Sequence, residues 1–194
     1  MKQPPFGITV CGIDELGEHA TLGATHVLSI LDPDYPVPEA FGQYGEHARL
    51  ERRFHDIIDP TPGMILPSAE DVAAVLAFGR ELSDEPRPLA NLLVHCHAGV
   101  SRSTASMTLI LAQALPDTPA PAILDMVYGI RDKAWPNLRM IEMGDEMLGR
   151  GGSLVEAAFS LYRQQMAQKP HLAQMMSDFG RAREVAGRPV PPAV

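Results

Sequence analysis

An α/β fold, built on a central, mostly parallel sheet of four to five strands flanked by helices, is what this sequence predicts, and three observations carry it. Strand-like runs alternate with helical ones through the first half of the chain, and helices crowd the second half. The run NLLVHC (91–96) is short and apolar through its centre, as suits a strand covered on both faces. Of the 194 residues, 45% are hydrophobic and 21% charged, an ordinary globular balance with enough apolar material for a full core.

The elements follow in order. FGITVCGI (6–13) reads as a short buried strand and ELGEHATLGA (15–24) as a short helix ending at glycine. THVLSILD (25–32) is a second strand, closed by the prolines of DPDYPVP. Residues 32–44, with Tyr35, Phe41 and Tyr44, form a breaker-rich loop. ARLERRFHDI (48–57) alternates about Leu50 and Phe54 as a third strand, and IDPTPGMILP (58–67) is another loop. Ser68 followed three residues later by Asp71 marks a helix start, with an apolar stripe of Val72, Val75, Leu76 and Phe78 behind it. SDEPRPLA (83–90) is a linker into the central strand NLLVHC. STASMTLILAQAL (103–115) is helical in pattern and apolar almost all round, hence buried. PAILDMVYGIRD, NLRMIEMGDEML and SLVEAAFSLYRQQMAQ are three further helices. The expected organisation is a main domain over 1–150, a helical extension packed on it over 151–180, and a flexible tail over 181–194.

The net charge of −8 and pI near 5.3 argue against nucleic acid or an anionic membrane as partner. The two cysteines, Cys11 and Cys96, both sit in apolar runs; no disulfide framework is indicated, and a reducing cytoplasm fits. The N-terminus has no long apolar stretch of a secretory signal. No apolar run approaches the roughly 20 residues of a membrane span, so membrane insertion is not expected.

The chemistry concentrates in HCHAGVSRS (95–103). A strand running into a glycine-containing loop and then a helix makes an anion cradle. Loop amides converge, the helix start adds partial positive charge, and Gly99 permits the tight path. Arg102 offers a planar fork to two oxygens of an oxyanion. The groups that hold an anion also stabilise a thiolate, so Cys96 at the strand end is placed as a nucleophile beneath a tetrahedral oxyanion.

VHCHAGVSRS resembles the signature of the cysteine-dependent protein tyrosine phosphatase superfamily, in its dual-specificity branch of bacterial type. It matches at Val94, His95, Cys96, Gly99, Arg102 and Ser103. RDKAWPNLRMI (131–141) resembles the arginine and Pro-Asn segment that opens a late helix in that branch, and the likeness runs from Ile8 to Leu148. The resemblance implies a three-layer fold of the phosphotyrosine phosphatase type and phosphomonoester hydrolysis through a phosphocysteine. It implies Cys96 as nucleophile and a phosphate site formed by His97, Ala98, Gly99, Val100, Ser101 and Arg102. Ser103 would donate a hydrogen bond to the sulfur, and His95 would brace loop and sulfur without touching substrate. No cofactor and no metal are implied.

The leaving group needs a proton and the second step a base, roles that one carboxyl can fill. In this branch it lies on a loop after a strand upstream of the cysteine. RRFHDIIDP offers Asp56, the preferred candidate, and Asp59, which stays open. Trp135 and Asn137 in AWPNL read as structural, the first in the core and the second capping a helix. Two rival readings remain: a metal site on His95 and His97 completed by His55 or Asp56, and a phosphate-reading module without catalysis. Expected substrates are phosphotyrosine, phosphoserine or phosphothreonine in proteins, with phosphoinositides or other small phosphate esters as the alternative.

Overall fold

The structure, a computed structural model, describes residues 4–84 and 90–187. Most of the expected linker (85–89) and the last part of the expected tail (188–194) lie outside the described residues. Four strands form one sheet: β1 (Gly7–Cys11), β2 (His26–Leu31), β3 (Ala48–Arg53) and β4 (Asn91–His95), in the order β1-β4-β2-β3. Every pairing is parallel. The central strands are the two with the most continuous apolar sequence, and β2 is buried at all six positions.

Alternation along these strands divides the core in two. Leu28, Ile30, Leu92 and Val94 face the large helical side, whereas Val27 and Leu93 face a smaller cluster with Cys11 and Leu16. The helical side carries α1 (Ala69–Asp84), α2 (Arg102–Ala114), α3 (Ala120–Ile130), α4 (Leu138–Met147) and α5 (Ser153–Gln168). The opposite side is covered by two 3-10 segments, Ile13–His19 and Glu39–Gln43. The expected helix at 15–24 is thus a 3-10 turn that starts earlier, and part of the expected loop at 32–44 is helical. The sheet is three layers thick with its flanks, as the resemblance implies.

Local signals act where the sequence put them. The Ser68 amide and hydroxyl donate to Asp71 Oδ2 at 2.8 and 2.6 Å, and the Asp71 amide returns a bond to Ser68 Oγ at 3.1 Å. Arg52 ties β3 to the same carboxylate at 2.7 Å. α2 is buried from Arg102 to Ala112 and lies against α1 and α4. Gly144 of α4 sits so close to Leu109 of α2 that any Cβ there would overlap the leucine side chain.

The C-terminal part departs from expectation. α5 packs through Leu154, Phe159 and Tyr162, and is followed by α6 (His171–Asp178) and α7 (Ala182–Ala186). Residues 181–187, expected as the start of a flexible tail, are instead folded onto the body: Arg181 is 4% and Glu184 0% exposed. The physical reason is a buried ion pair that meets donors from the main domain, described below.

Candidate active site

In a parallel sheet, side chains and loops that meet a ligand gather at the carboxyl ends of the strands. Four segments converge there: Cys96 to Ser101 after β4, Asp32 directly after β2, Phe54 to Asp59 after β3, and Ile13 after β1. Cys96 directly follows β4 and Arg102 opens α2, as the sequence pattern requires.

The loop between them is held by its carbonyls. His97 O accepts from Ile13 N at 2.9 Å, and Val100 O accepts from Trp135 N at 2.9 Å. Ser101 O accepts from Asn137 N at 3.3 Å. Arg131 donates to Gly99 O at 2.9 Å and Ala98 O at 3.0 Å, while its fork grips Glu15 at 3.0 and 2.6 Å. That fork, with burial opposing it, holds the Glu15 carboxyl below the usual range. Amide N–H and C=O point opposite ways along a peptide, so a loop whose carbonyls are all engaged outward presents N–H groups inward. Gly99 has φ +66°, and a Cβ there would lie 2.5 Å from the Cys11 carbonyl carbon, so only glycine fits.

Inside this frame Cys96 is 2% exposed, with Sγ 3.2 Å from Ser103 Oγ at the first turn of α2. Arg102 is 3% exposed. Its Nη1 donates to Asp32 Oδ1 and to Phe54 O, both at 2.6 Å, and its Nε is buried with no hydrogen-bond partner among the described residues. One nitrogen therefore anchors the guanidinium and another is left for a group not belonging to the chain. An orphaned buried donor is costly, and an oxyanion satisfies it.

The two histidines have separate tasks. His95 Nε2 pairs with Ser29 Oγ at 2.8 Å, and burial brings its pKa down to about 4; the ring is neutral. His97 Nε2 accepts from the Asp32 amide at 3.1 Å, which fixes a neutral tautomer, and burial lowers its pKa as well. Its ring meets Tyr35 edge-on at 4.5 Å. Of the residues between Cys96 and Arg102, the one side chain able to add charge thus adds none. Among the described residues no three His, Cys, Asp or Glu gather as a metal site.

The two carboxylate candidates are separated by their contacts. Asp56 reaches the loop that follows β4: its Oδ1 accepts from Ser101 Oγ at 2.6 Å, Asn137 Nδ2 at 2.9 Å and Arg181 Nη1 at 3.3 Å. Burial works against its ionisation, but Arg181, Arg102 and these hydrogen bonds outweigh it and hold the carboxyl below the usual range. Asp59 instead pairs with Arg183 at 3.0 Å and its side chain is 45% exposed. Trp135 is buried, and Asn137 caps α4 by accepting from Met140 N at 3.2 Å. His55 Nδ1 accepts from the Ile65 amide at 2.8 Å, on the surface. Cys11 is fully buried and free; burial first, then Glu15, pushes its thiol up to about 12.

Sequence reasoning missed two residues here. Asp32 was only the start of a loop, yet it buttresses Arg102. Arg181 lay in an expected tail, yet it donates to Ser101 Oγ at 2.8 Å as well as to Asp56. The visible signal for the second was the Arg181/Glu184 spacing of three, which suits an ion pair on a helical turn.

No protein-family model matches the chain, and no curated protein matches it significantly. Solved structures do match in fold. Human DUSP28 aligns with a TM-score of 0.55 at 17% identity, covering 74% of this chain and 92% of that one. The PTP-2 phosphatase of Cydia pomonella aligns with a TM-score of 0.56 at 18% identity, over 72% of this chain and 84% of that one. The human tyrosine phosphatase-like serine/threonine/tyrosine-interacting protein aligns with a TM-score of 0.56 at 17% identity, over 75% of this chain and 93% of that one. The chain has the α/β fold of these proteins.

Proposed function

We propose that this chain hydrolyses phosphomonoesters through a phosphocysteine on Cys96, acting on phosphotyrosine, phosphoserine or phosphothreonine in proteins. The observation that carries the reading is Arg102. It is buried, anchored through Nη1 by Asp32 and the Phe54 carbonyl, and left with an unpartnered Nε at the start of α2, where the loop from Cys96 ends.

In the first step the Cys96 thiolate attacks phosphorus. The bond from phosphorus to the ester oxygen breaks, and that oxygen takes a proton from Asp56. The inward N–H groups of His97, Ala98, Gly99, Val100, Ser101 and Arg102, with the Arg102 fork, bear the charge on the three equatorial oxygens. In the second step Asp56 accepts a proton from water, the water oxygen attacks phosphorus, and the S–P bond breaks. Ser103 donates to the departing sulfur, for which its 3.2 Å separation is suited. All of the Asp56 contacts from Ser101, Asn137 and Arg181 fall on Oδ1, which leaves Oδ2 as the proton-carrying oxygen. His95, neutral and bonded to Ser29, braces the strand end.

Two features support singly phosphorylated protein substrates. His97 is held neutral, so Arg102 is the only charged side chain of the loop, whereas clustered phosphates need added cations. Tyr35 places an aromatic ring, 37% exposed, against His97 beside the site. Among the described residues no helix is long and apolar enough to cross a membrane, and a cytoplasmic phosphoprotein partner suits the reading.

The test is p-nitrophenyl phosphate hydrolysis with EDTA, with vanadate, and for Cys96→Ser. Turnover unaffected by EDTA, blocked by vanadate and lost in the variant is expected. EDTA inhibition would instead favour a metal hydrolase, and phosphopeptide binding without turnover a reader module. A panel of phosphopeptides against phosphoinositides then decides the substrate class.

A further inference from the structure

We propose that Arg181, carried in by the C-terminal extension, is a positioning residue that fixes the Asp56 carboxylate and the Ser101 hydroxyl in one arrangement beside the phosphate loop. This rests on the reading of Asp56 and Cys96 given above and extends the site beyond the likeness that ends at Leu148.

Arg181 is 4% exposed and spends its donors on three partners. Nη1 reaches Ser101 Oγ at 2.8 Å and Asp56 Oδ1 at 3.3 Å. Nε and Nη2 grip Glu184 at 2.8 and 2.7 Å. Glu184, fully buried, is held in turn by Trp135 Nε1 at 2.6 Å and the Leu138 amide at 3.0 Å. The chain of contacts thus begins in the segment that packs Trp135 under the loop and ends on the carboxylate proposed to carry the proton. Ser101 is bonded to Asp56 from the loop side at 2.6 Å, so hydroxyl, carboxylate and guanidinium close a triangle. Arg183, two residues on, bridges Asp59 at 3.0 Å and Glu142 at 2.5 Å, which pins the far end of the acid loop to the same short helix.

The charges facing Asp56 come from every element around it. Arg102 lies at the start of α2, Arg181 ahead of α7, His97 in the loop and Tyr162 on α5, with Ser101 and the α4 cap Asn137 as neutral donors. His97 and Tyr162 are neutral near pH 7, so Arg102 and Arg181 are the cations that favour the ionised carboxyl. Arg102 is committed to substrate in the proposed reaction. Arg181 is the cation that stays with Asp56 throughout.

The experiment follows the Asp56 carboxyl carbon by NMR titration, alongside kcat/KM for p-nitrophenyl phosphate against pH, in the full chain and in Arg181→Met and Arg181→Lys. The substrate's own ionisation is common to all three proteins. In Arg181→Met, Asp56 should titrate about one pH unit or more higher, a roughly tenfold rise in proton affinity, and the basic limb of kcat/KM should move the same way. Arg181→Lys keeps the charge without the fork, so the limb should stay while kcat falls several-fold at unchanged KM. A folded Arg181→Met whose Asp56 titrates as in the parent overturns the proposal. If that variant does not fold, an Arg181→Lys protein with parental kcat overturns it. Loss of the phosphatase reading is a separate outcome: the parent would show neither turnover nor vanadate binding, while the Asp56 titration would still decide the role of Arg181.

Discussion

At the scale of single residues, the chemistry is concentrated in groups whose charge state the fold dictates. Asp56 is held below the usual carboxyl range by Arg181, Arg102 and two neutral donors, against the opposing effect of burial. Activity should therefore peak on the acid side of neutrality in a pH–rate profile, and Asp56→Asn should lower kcat by about 10²–10⁴, with Asp59→Asn near parental. His95 gives a stability prediction. Its pKa is lowered to about 4 in the folded chain from an ordinary value of 6.5. As pH falls from about 6.5, the unfolded state takes up the proton first, so stability present at neutral pH is lost down to about 4, by at most ~3 kcal/mol. Urea unfolding midpoints should fall over that window and fall less in His95→Asn. The grouping of Cys96, Arg102 and Ser103 was legible because it depends on eight contiguous residues and one turn of backbone. Asp32 and Arg181 were not, since each reaches the site from a different part of the chain, and nothing local distinguishes Asp32 from a plain strand-terminating aspartate.

Elements were legible in proportion to how far local signals govern them. Ser68 and Asp71 close their capping box within three residues, so the start of α1 could be read directly. Ser68→Ala should cost about 1 kcal/mol in thermal or denaturant unfolding. β3 ends at Arg53, not at Ile57: after the Phe54 amide donates to Leu31 O at 3.1 Å the backbone leaves β2, which delivers the Phe54 carbonyl to Arg102 and Asp56 to Ser101. Alternation of side chains cannot report that departure. The α2–α4 contact depends on a residue with no side chain. Gly144→Ala would drive its methyl into Leu109, and on overpacking grounds should destabilise by about 1–3 kcal/mol. A circular-dichroism melt checks this, and an unchanged midpoint would mean the helices separate freely there.

For the whole molecule, the parallel sheet explains why the site lies where it does, and the C-terminal extension explains how it is closed. The sequence predicted the α/β class and the central strand, but it assigned residues 181–187 to a flexible tail, in a segment (169–194) that carries four prolines. Their burial depends on Trp135 and Leu138, whose donors Glu184 satisfies. Deleting residues 181–194 should orphan both donors at about 1–3 kcal/mol each, lowering the melting temperature on the order of 10 °C. The central claim, a covalent bond between phosphorus and Cys96, is tested most directly by mixing the protein with p-nitrophenyl phosphate, quenching in acid within milliseconds and mapping the modified peptide by mass. Phosphate on Cys96, absent from Cys96→Ser, is the predicted result. Turnover with an unmodified Cys96, or with phosphate on His95 or His97 instead, would contradict it.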